Sequence, residues 1–315
     1  MEVSQLLSEF IDALDRDALR VKRPDEFVFL CGGPVDTEFL SSTKYLSLRD
    51  FVYRAVRGIK PRLVLAEDAQ NLFELSGYSD LVEFEVDIAQ ISSLVALISE
   101  TAGSLVELGA FTTHKVIGKV LYVIVHESHH GNTKSFVRLG PFKVLEELHD
   151  DGIDMVGDFN WKVRKDGSVV VKSISGQSHI IADSINERCR SGAERFDPES
   201  TLHRMLVIYW ICHILRGARR TEIKYYLEKF QINLESSTIK RYLFCMEVAG
   251  WIGSKNVGSP YFYPRIDADP FDYRYKKATK NKSHSRWKLV ISSEVQQGSS
   301  NRPKDVISAV GEADD

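Results

Sequence analysis

The stretch Leu94-Val95-Ala96-Leu97-Ile98-Ser99-Glu100-Thr101-Ala102-Gly103-Ser104-Leu105-Val106-Glu107-Leu108-Gly109-Ala110-Phe111 joins two elements of different kinds. Its first five residues form an unbroken apolar run, as long as a strand and suited to burial on both faces of a parallel sheet. The remainder suits a helix, with Gly103-Ser104 at its start, where backbone N–H groups lack intrahelical partners and attract a phosphate or sugar oxygen. Glu107 is thereby placed near the carboxyl edge of a sheet, the edge at which open α/β sheets bind ligands. Two readings of this acid stand side by side: a group that works on a ligand, or a first-turn helix acid favoured by the macrodipole.

The neighbouring sequence repeats the pattern. Phe27-Val28-Phe29-Leu30-Cys31 reads as a strand running into Gly32-Gly33-Pro34, Arg62–Ala66 as a second and Val120–Val125 as a fourth. Leu46–Val56, Val82–Ser92 and Pro141–His149 carry helical spacing. Strands alternating with helices predict an α/β fold over residues 1–149, a Rossmann-like parallel sheet with flanking helices. Residues 150–197 read as a connector with a β-hairpin, since Asp166-Gly167 separates two β-prone arms. Asp197 and Pro198 suit the cap and first turn of a new helix. From 198 to 290, three helical stretches are followed by two short strand candidates around Asn256–Tyr263, the plan of a smaller winged-helix domain with Ser237 capping its third helix. Residues 291–315 read as a polar tail.

With 43% hydrophobic and 27% charged residues in a chain of 315, the composition is that of an ordinary soluble protein. The beginning lacks a basic-then-apolar pattern and no window has the apolar length of a membrane span, so a cytoplasmic protein with no membrane partner is expected. Cys31, Cys189, Cys212 and Cys245 lie far apart without a Cys-x-x-Cys pair, which argues against a zinc ribbon or a disulfide framework and predicts reduced, structural thiols. The net charge of −3 conceals an asymmetry: residues 201–300 hold 17 Lys and Arg against 8 Asp and Glu, and residues 1–200 hold 22 against 32. A basic third following an acidic two-thirds points to two modules, the second facing a polyanion.

Glycosyl transfer requires a nucleophile at an anomeric carbon and a group near the departing base; Glu107 and Asp87 have the chemistry for these parts. Gly32 and Gly33 would allow close backbone approach to a ligand. Glu67-Asp68, after the second strand, are placed to reach a ribose hydroxyl, and Ser135 and Arg138 a phosphate. His126, His129 and His130 complete no recognised ligand spacing, so no metal is expected. In the basic third, Lys240 and Arg241 fall on the presumptive recognition helix, while Lys276, Lys277, Lys280 and Lys282 follow the hairpin beside Tyr273 and Tyr275, a pattern suited to phosphate contact and base stacking.

A strand ending in Gly-Gly-Pro, an Asp in the helix before Leu94–Ile98, and the Gly103-Ser104-x-x-Glu107-Leu108-Gly109-Ala110 signature resemble the nucleoside 2-deoxyribosyltransferases over about residues 25–148. The resemblance implies Glu107 as nucleophile, Asp87 as the base-contacting acid, and Gly32, Gly33, Pro34, Gly103, Ser104 and Glu100 around the substrate. The family usually carries a further Asp where this chain has Thr101, preceded by Glu100. That departure bears on a preference for deoxyribonucleosides; the C–N glycosidic chemistry is unaffected by it.

Joined to a winged-helix-like module, such a domain is similar to effectors encoded with retrons, which act beside a reverse transcriptase and its branched RNA–DNA in anti-phage defence. That likeness implies a toxin held inactive by both partners, a nucleotide substrate, with NAD⁺ as the expected one and no cofactor, and it leaves room for a higher-order oligomer. A nucleotide-sensing DNA-binding regulator without turnover, and a true deoxyribosyltransferase, are the alternatives.

Overall fold

The computed structural model describes residues 3–40, 43–70, 76–130, 134–149, 154–189, 192–280 and 283–296. The chain divides into two compact units: an α/β unit of residues 26–70 and 88–190, and a mainly helical unit of residues 1–25, 71–87 and 191–315.

The α/β unit is built on a five-stranded, all-parallel sheet of Phe27–Cys31 (β1), Arg62–Val64 (β2), Leu94–Ser99 (β3), Leu121–His126 (β4) and Val156–Phe159 (β5). The strand order is β2-β1-β3-β4-β5. Every residue of β1 and β3 is buried, as strands covered on both faces require. Register pairs Val28 with Leu94 and Cys31 with Leu97, and on the other side Val95 with Leu121. The chain leaves β1 for β2 and then crosses to β3. The order therefore reverses between β1 and β3, opening a crevice at their carboxyl ends. This is the Rossmann-like arrangement expected from the alternating pattern.

The structure differs from the expected boundaries in two places. Within the supposed connector, β5 adds the fifth strand, and Ile181, Ala182 and Ile185 of the Ser178–Arg188 helix enter the same apolar core as Val28, Leu30 and Tyr122. Val-Gly-Asp-Phe carries no apolar run, so the strand is invisible to periodicity; Gly157 is required because a Cβ there would meet the Tyr122 hydroxyl at 2.1 Å. The anticipated hairpin is a single bridge, Val163 to Val169, closed by a turn in which Gly167 has φ +84°. The second difference concerns residues 1–25 and 71–87, which group with the helical unit. The amphipathic Val3–Ala13 helix buries Leu6, Leu7, Phe10 and Ile11, and the Phe10 ring stacks on Tyr273 and Trp287 at centroid separations of 5.5 and 5.2 Å.

The helical unit contains the Thr201–Ile214, Arg220–Lys229 and Ser236–Val248 helices followed by an antiparallel hairpin, Ile252–Val257 with Ser259–Pro264. A small antiparallel sheet sets Arg20–Val21 between Phe271–Asp272 and Glu194–Arg195. The first helix is capped by Ser200, whose side chain accepts from the His203 N–H, rather than by Asp197. The third begins at Ser236, one residue before the expected cap. No described helix is long and apolar enough to cross a membrane. Most of the polar tail, residues 297–315, lies outside the described residues, as does Lys282.

Candidate active site

The turn after β3 is self-contained. The Thr101 hydroxyl caps the Ala102–Thr113 helix by accepting from the Ser104 N–H at 3.2 Å, and the Ser104 hydroxyl accepts from the Glu100 and Thr101 N–H groups at 3.0 and 2.9 Å. Ser104 is fully buried in this reciprocal cap. Gly103 is exposed, and an added Cβ would meet only the Thr101 hydroxyl, at 3.8 Å.

Glu107 lies beyond the first turn of this helix, so the macrodipole does not account for it. Its Oε2 is buried without a hydrogen-bond partner among the described residues. Burial raises the carboxyl above its ordinary range; the Arg49 guanidinium opposes that rise and Glu67 adds to it. A buried, unpartnered carboxylate oxygen is costly to keep. Its best use is to meet a ligand that supplies the missing contact.

Glu100 occupies the crevice between β1 and β3. Its Oε1 accepts from the Gly33 and Arg49 N–H groups at 3.1 and 3.0 Å, and its Oε2 from Leu48 at 2.7 Å. Leu48 and Arg49 open the Leu48–Ala55 helix, whose cap, Ser47, accepts from the Asp50 N–H and donates to the Pro34 carbonyl. An internal carboxylate thus fills the helix N-terminus that would otherwise take an anion. Burial pushes Glu100 above the ordinary carboxylate range, with the three backbone donors pulling it back.

The glycines serve the same packing. A Cβ on Gly33 would meet Ser47 Cβ at 2.7 Å and Glu100 Oε1 at 2.8 Å, and one on Gly32, where φ is +145°, would meet the Ile98 carbonyl at 2.9 Å. Close approach here is between parts of the chain itself, where the sequence suggested approach to a ligand. Beside this crevice lies a cleft of about 380 Å³ lined in part by Pro34, Ser47, Glu100, Thr101, His126 and Trp161, within the size range of small-molecule sites. His126 meets the Trp161 carbonyl at 3.0 Å and the Ser128 hydroxyl at 2.7 Å. Among the described residues no His, Cys, Asp or Glu cluster suits a metal ion.

Arg49 escaped the sequence reading. It donates to the carbonyls of Leu30 and Gly33 and, in bidentate fashion, to Glu67. The available signal was a cation in a helix's first turn, against the macrodipole preference. Arg138, expected near a phosphate, pairs with Glu146.

Asp87 belongs to the helical unit, whereas Glu107 belongs to the α/β unit. The Tyr78 hydroxyl donates to Asp87 at 2.9 Å, and burial raises the carboxyl. In the same unit Arg241 pairs with Glu83 at 3.1 Å and lies over the Tyr78 ring, while the Lys240 methylenes lie beside Gly77. The Lys276 ammonium donates to the Asp12 carbonyl at 2.7 Å. Lys277 and Lys280 are exposed. Of the cations expected to meet nucleic acid, Arg241 and Lys276 therefore hold contacts within their own unit.

Residues 45–254, about two thirds of the chain, match the family described as STM3845 retron effector protein. Over 152 residues the chain is 30% identical to an Escherichia coli protein named "Retron Ec73 putative ribosyltransferase/DNA-binding protein", a stretch covering 46% of each. The chain thus aligns with about half the length of that relative.

Proposed function

The chain belongs to the STM3845 retron effector family, and from that premise we propose that it is a toxic N-glycosidase of a retron defence system, cleaving a nucleotide's C–N glycosidic bond. The substrate we assign is NAD⁺. The observation that carries this reading is the Glu107 carboxylate, one of whose oxygens is buried without a hydrogen-bond partner among the described residues while the Arg49 charge acts on it. The resemblance to the deoxyribosyltransferase signature and the ribosyltransferase wording of the Escherichia coli relative's name support it.

In this scheme the Glu107 carboxylate attacks C1′ of the nicotinamide-bearing ribose. The C–N bond breaks with its electron pair passing to the cationic ring, and neutral nicotinamide leaves without needing a proton. Water then cleaves the glycosyl ester, giving ADP-ribose, a proton and the restored carboxylate. Arg49 favours the ionised form of Glu107 that the first step requires.

A free enzyme of this kind in the cytoplasm would drain its own host. A reverse transcriptase and branched RNA–DNA hold it inactive, with the helical unit acting as a winged-helix-like module that engages them; restraint requires that they bind the inactive arrangement more tightly. The decisive experiment is nicotinamide release by the full chain and by Glu107→Gln. The parent is expected to turn over and the variant to lose nearly all turnover, more than the roughly 10²- to 10⁴-fold that a general acid or base supplies, while both melt cooperatively. Full activity in Glu107→Gln refutes the mechanism, and a parent that binds nucleotide without turnover is a sensor instead.

A further inference from the structure

Both oxygens of Glu67 are held by one guanidinium, with Arg49 Nη1 donating to Oε1 at 2.8 Å and Nη2 to Oε2 at 2.7 Å. Arg49 is fixed in turn by the carbonyls of Leu30 at 2.9 Å and Gly33 at 3.2 Å. The pair therefore ties the carboxyl end of β1 to the segment following β2. The arginine side chain is 5% exposed and that of the acid 25%, so the cation is enclosed while the carboxylate reaches open space. Each carboxylate oxygen carries two lone-pair sites, and the fork uses one on each. The other two can accept from a ligand.

The Arg49 N–H also donates to Glu100 Oε1 at 3.0 Å in the crevice at the carboxyl ends of β1 and β3, so the clamped acid stands at the sheet edge from which the Glu107 helix starts. The charges of Arg49 and Glu67 act on the Glu107 carboxyl in opposite senses. A ribose attacked at C1′ carries its 2′-hydroxyl on the adjoining carbon and its 3′-hydroxyl beyond, a vicinal pair spaced to donate to the two oxygens of one carboxylate.

We infer that Glu67, locked in place by Arg49, accepts the 2′- and 3′-hydroxyls of the substrate ribose and selects ribosyl over 2′-deoxyribosyl substrates. This specificity role rests on the N-glycosidase reading above. The Arg49 fork sets the orientation of the acceptor before substrate arrives.

The test uses the full chain and two matched pairs of substrates: NAD⁺ against its form lacking the 2′-hydroxyl on the nicotinamide ribose, and inosine against 2′-deoxyinosine. Base release is measured for the parent and for Glu67→Gln. The parent is expected to favour the ribosyl member by about 10- to 100-fold in kcat/KM, the range of a hydrogen bond to a charged acceptor. In Glu67→Gln turnover of both members is expected to fall, since each keeps the 3′-hydroxyl and the same nucleophile, but the ribosyl member loses the 2′-hydroxyl contact as well, so the ratio is expected to fall toward one. Because the ratio is taken within one protein, partial loss of fold cancels; Glu67→Asp, which keeps the charge, is expected to retain part of the preference. An unchanged ratio in Glu67→Gln, a parent without preference, or loss of all turnover in both variants overturns the assignment and leaves the N-glycosidase reading standing. Release from none of the four substrates by the parent overturns that reading, and this assignment with it.

Discussion

Replacing Glu100 by alanine tests whether this acid is an anchor of the fold or a substrate ligand. Its carboxylate accepts three backbone hydrogen bonds, from Gly33 at 3.1 Å, Leu48 at 2.7 Å and Arg49 at 3.0 Å. Each buried donor left without a partner costs about 1 to 3 kcal/mol, which brackets the loss between roughly 3 and 9 kcal/mol. The adjoining cleft admits water to the vacated space, and the burial that raises the carboxyl's pKa is no longer opposed to folding. Both effects bring the expected loss close to the lower bound of about 3 kcal/mol, or about 100-fold in an opening equilibrium. Glu100→Gln keeps one acceptor oxygen and is expected to lose less. Amide hydrogen exchange gives the local readout, with the three named N–H groups exchanging about 100-fold faster in Glu100→Ala. Urea unfolding gives the global one. Exchange at these amides within a few-fold of the parent, together with a large rise in KM for nucleotide, would refute the anchoring argument and return Glu100 to the substrate.

Two further outcomes are expected. Burial raises the Glu107 carboxyl above its ordinary value of 4.5; a folded-state pKa above the unfolded one contributes stability that is full at low pH and declines as pH rises through the raised value. Turnover, which needs the ionised nucleophile, rises over that same window, so the acid limb of kcat/KM, which reports the free enzyme, should stand above 4.5, and the urea midpoint of Glu107→Gln should lose this pH dependence; a limb at or below the ordinary value contradicts the burial argument. Among the cations, Lys277→Ala and Lys280→Ala should each reduce the log–log salt slope of nucleic-acid binding by roughly 0.7 to 0.9 for every phosphate no longer neutralised, while Arg241→Ala, whose partners are Glu83 and Tyr78, should leave the slope alone; an equal reduction for Arg241 shows that it meets phosphate instead.

What the sequence determined by itself was whatever depends on local pattern. Continuous apolar runs mark β1, β3 and β4, because a strand covered on both faces has no polar side to display. Their alternation with helices is enough for a parallel sheet, and a signature of neighbouring residues is enough to single out Glu107. Tertiary structure decided everything that depends on which distant groups meet. Val156–Phe159 becomes a strand only because an edge of the sheet is open to it, and the amphipathic first helix declares an apolar face without declaring which core receives it. The part of Glu100 as an anchor of the crevice, and that of Arg49 as the partner of Glu67, were hidden for the same reason. Glu100 closes its hydrogen bonds with residues more than fifty positions away, and Arg49 with one eighteen away. Whether a carboxylate is spent on the fold, as Glu100 is, or left with an oxygen unpartnered among the described residues, as Glu107 is, follows from the donors brought to it by chain folding. No spacing along the sequence records that difference.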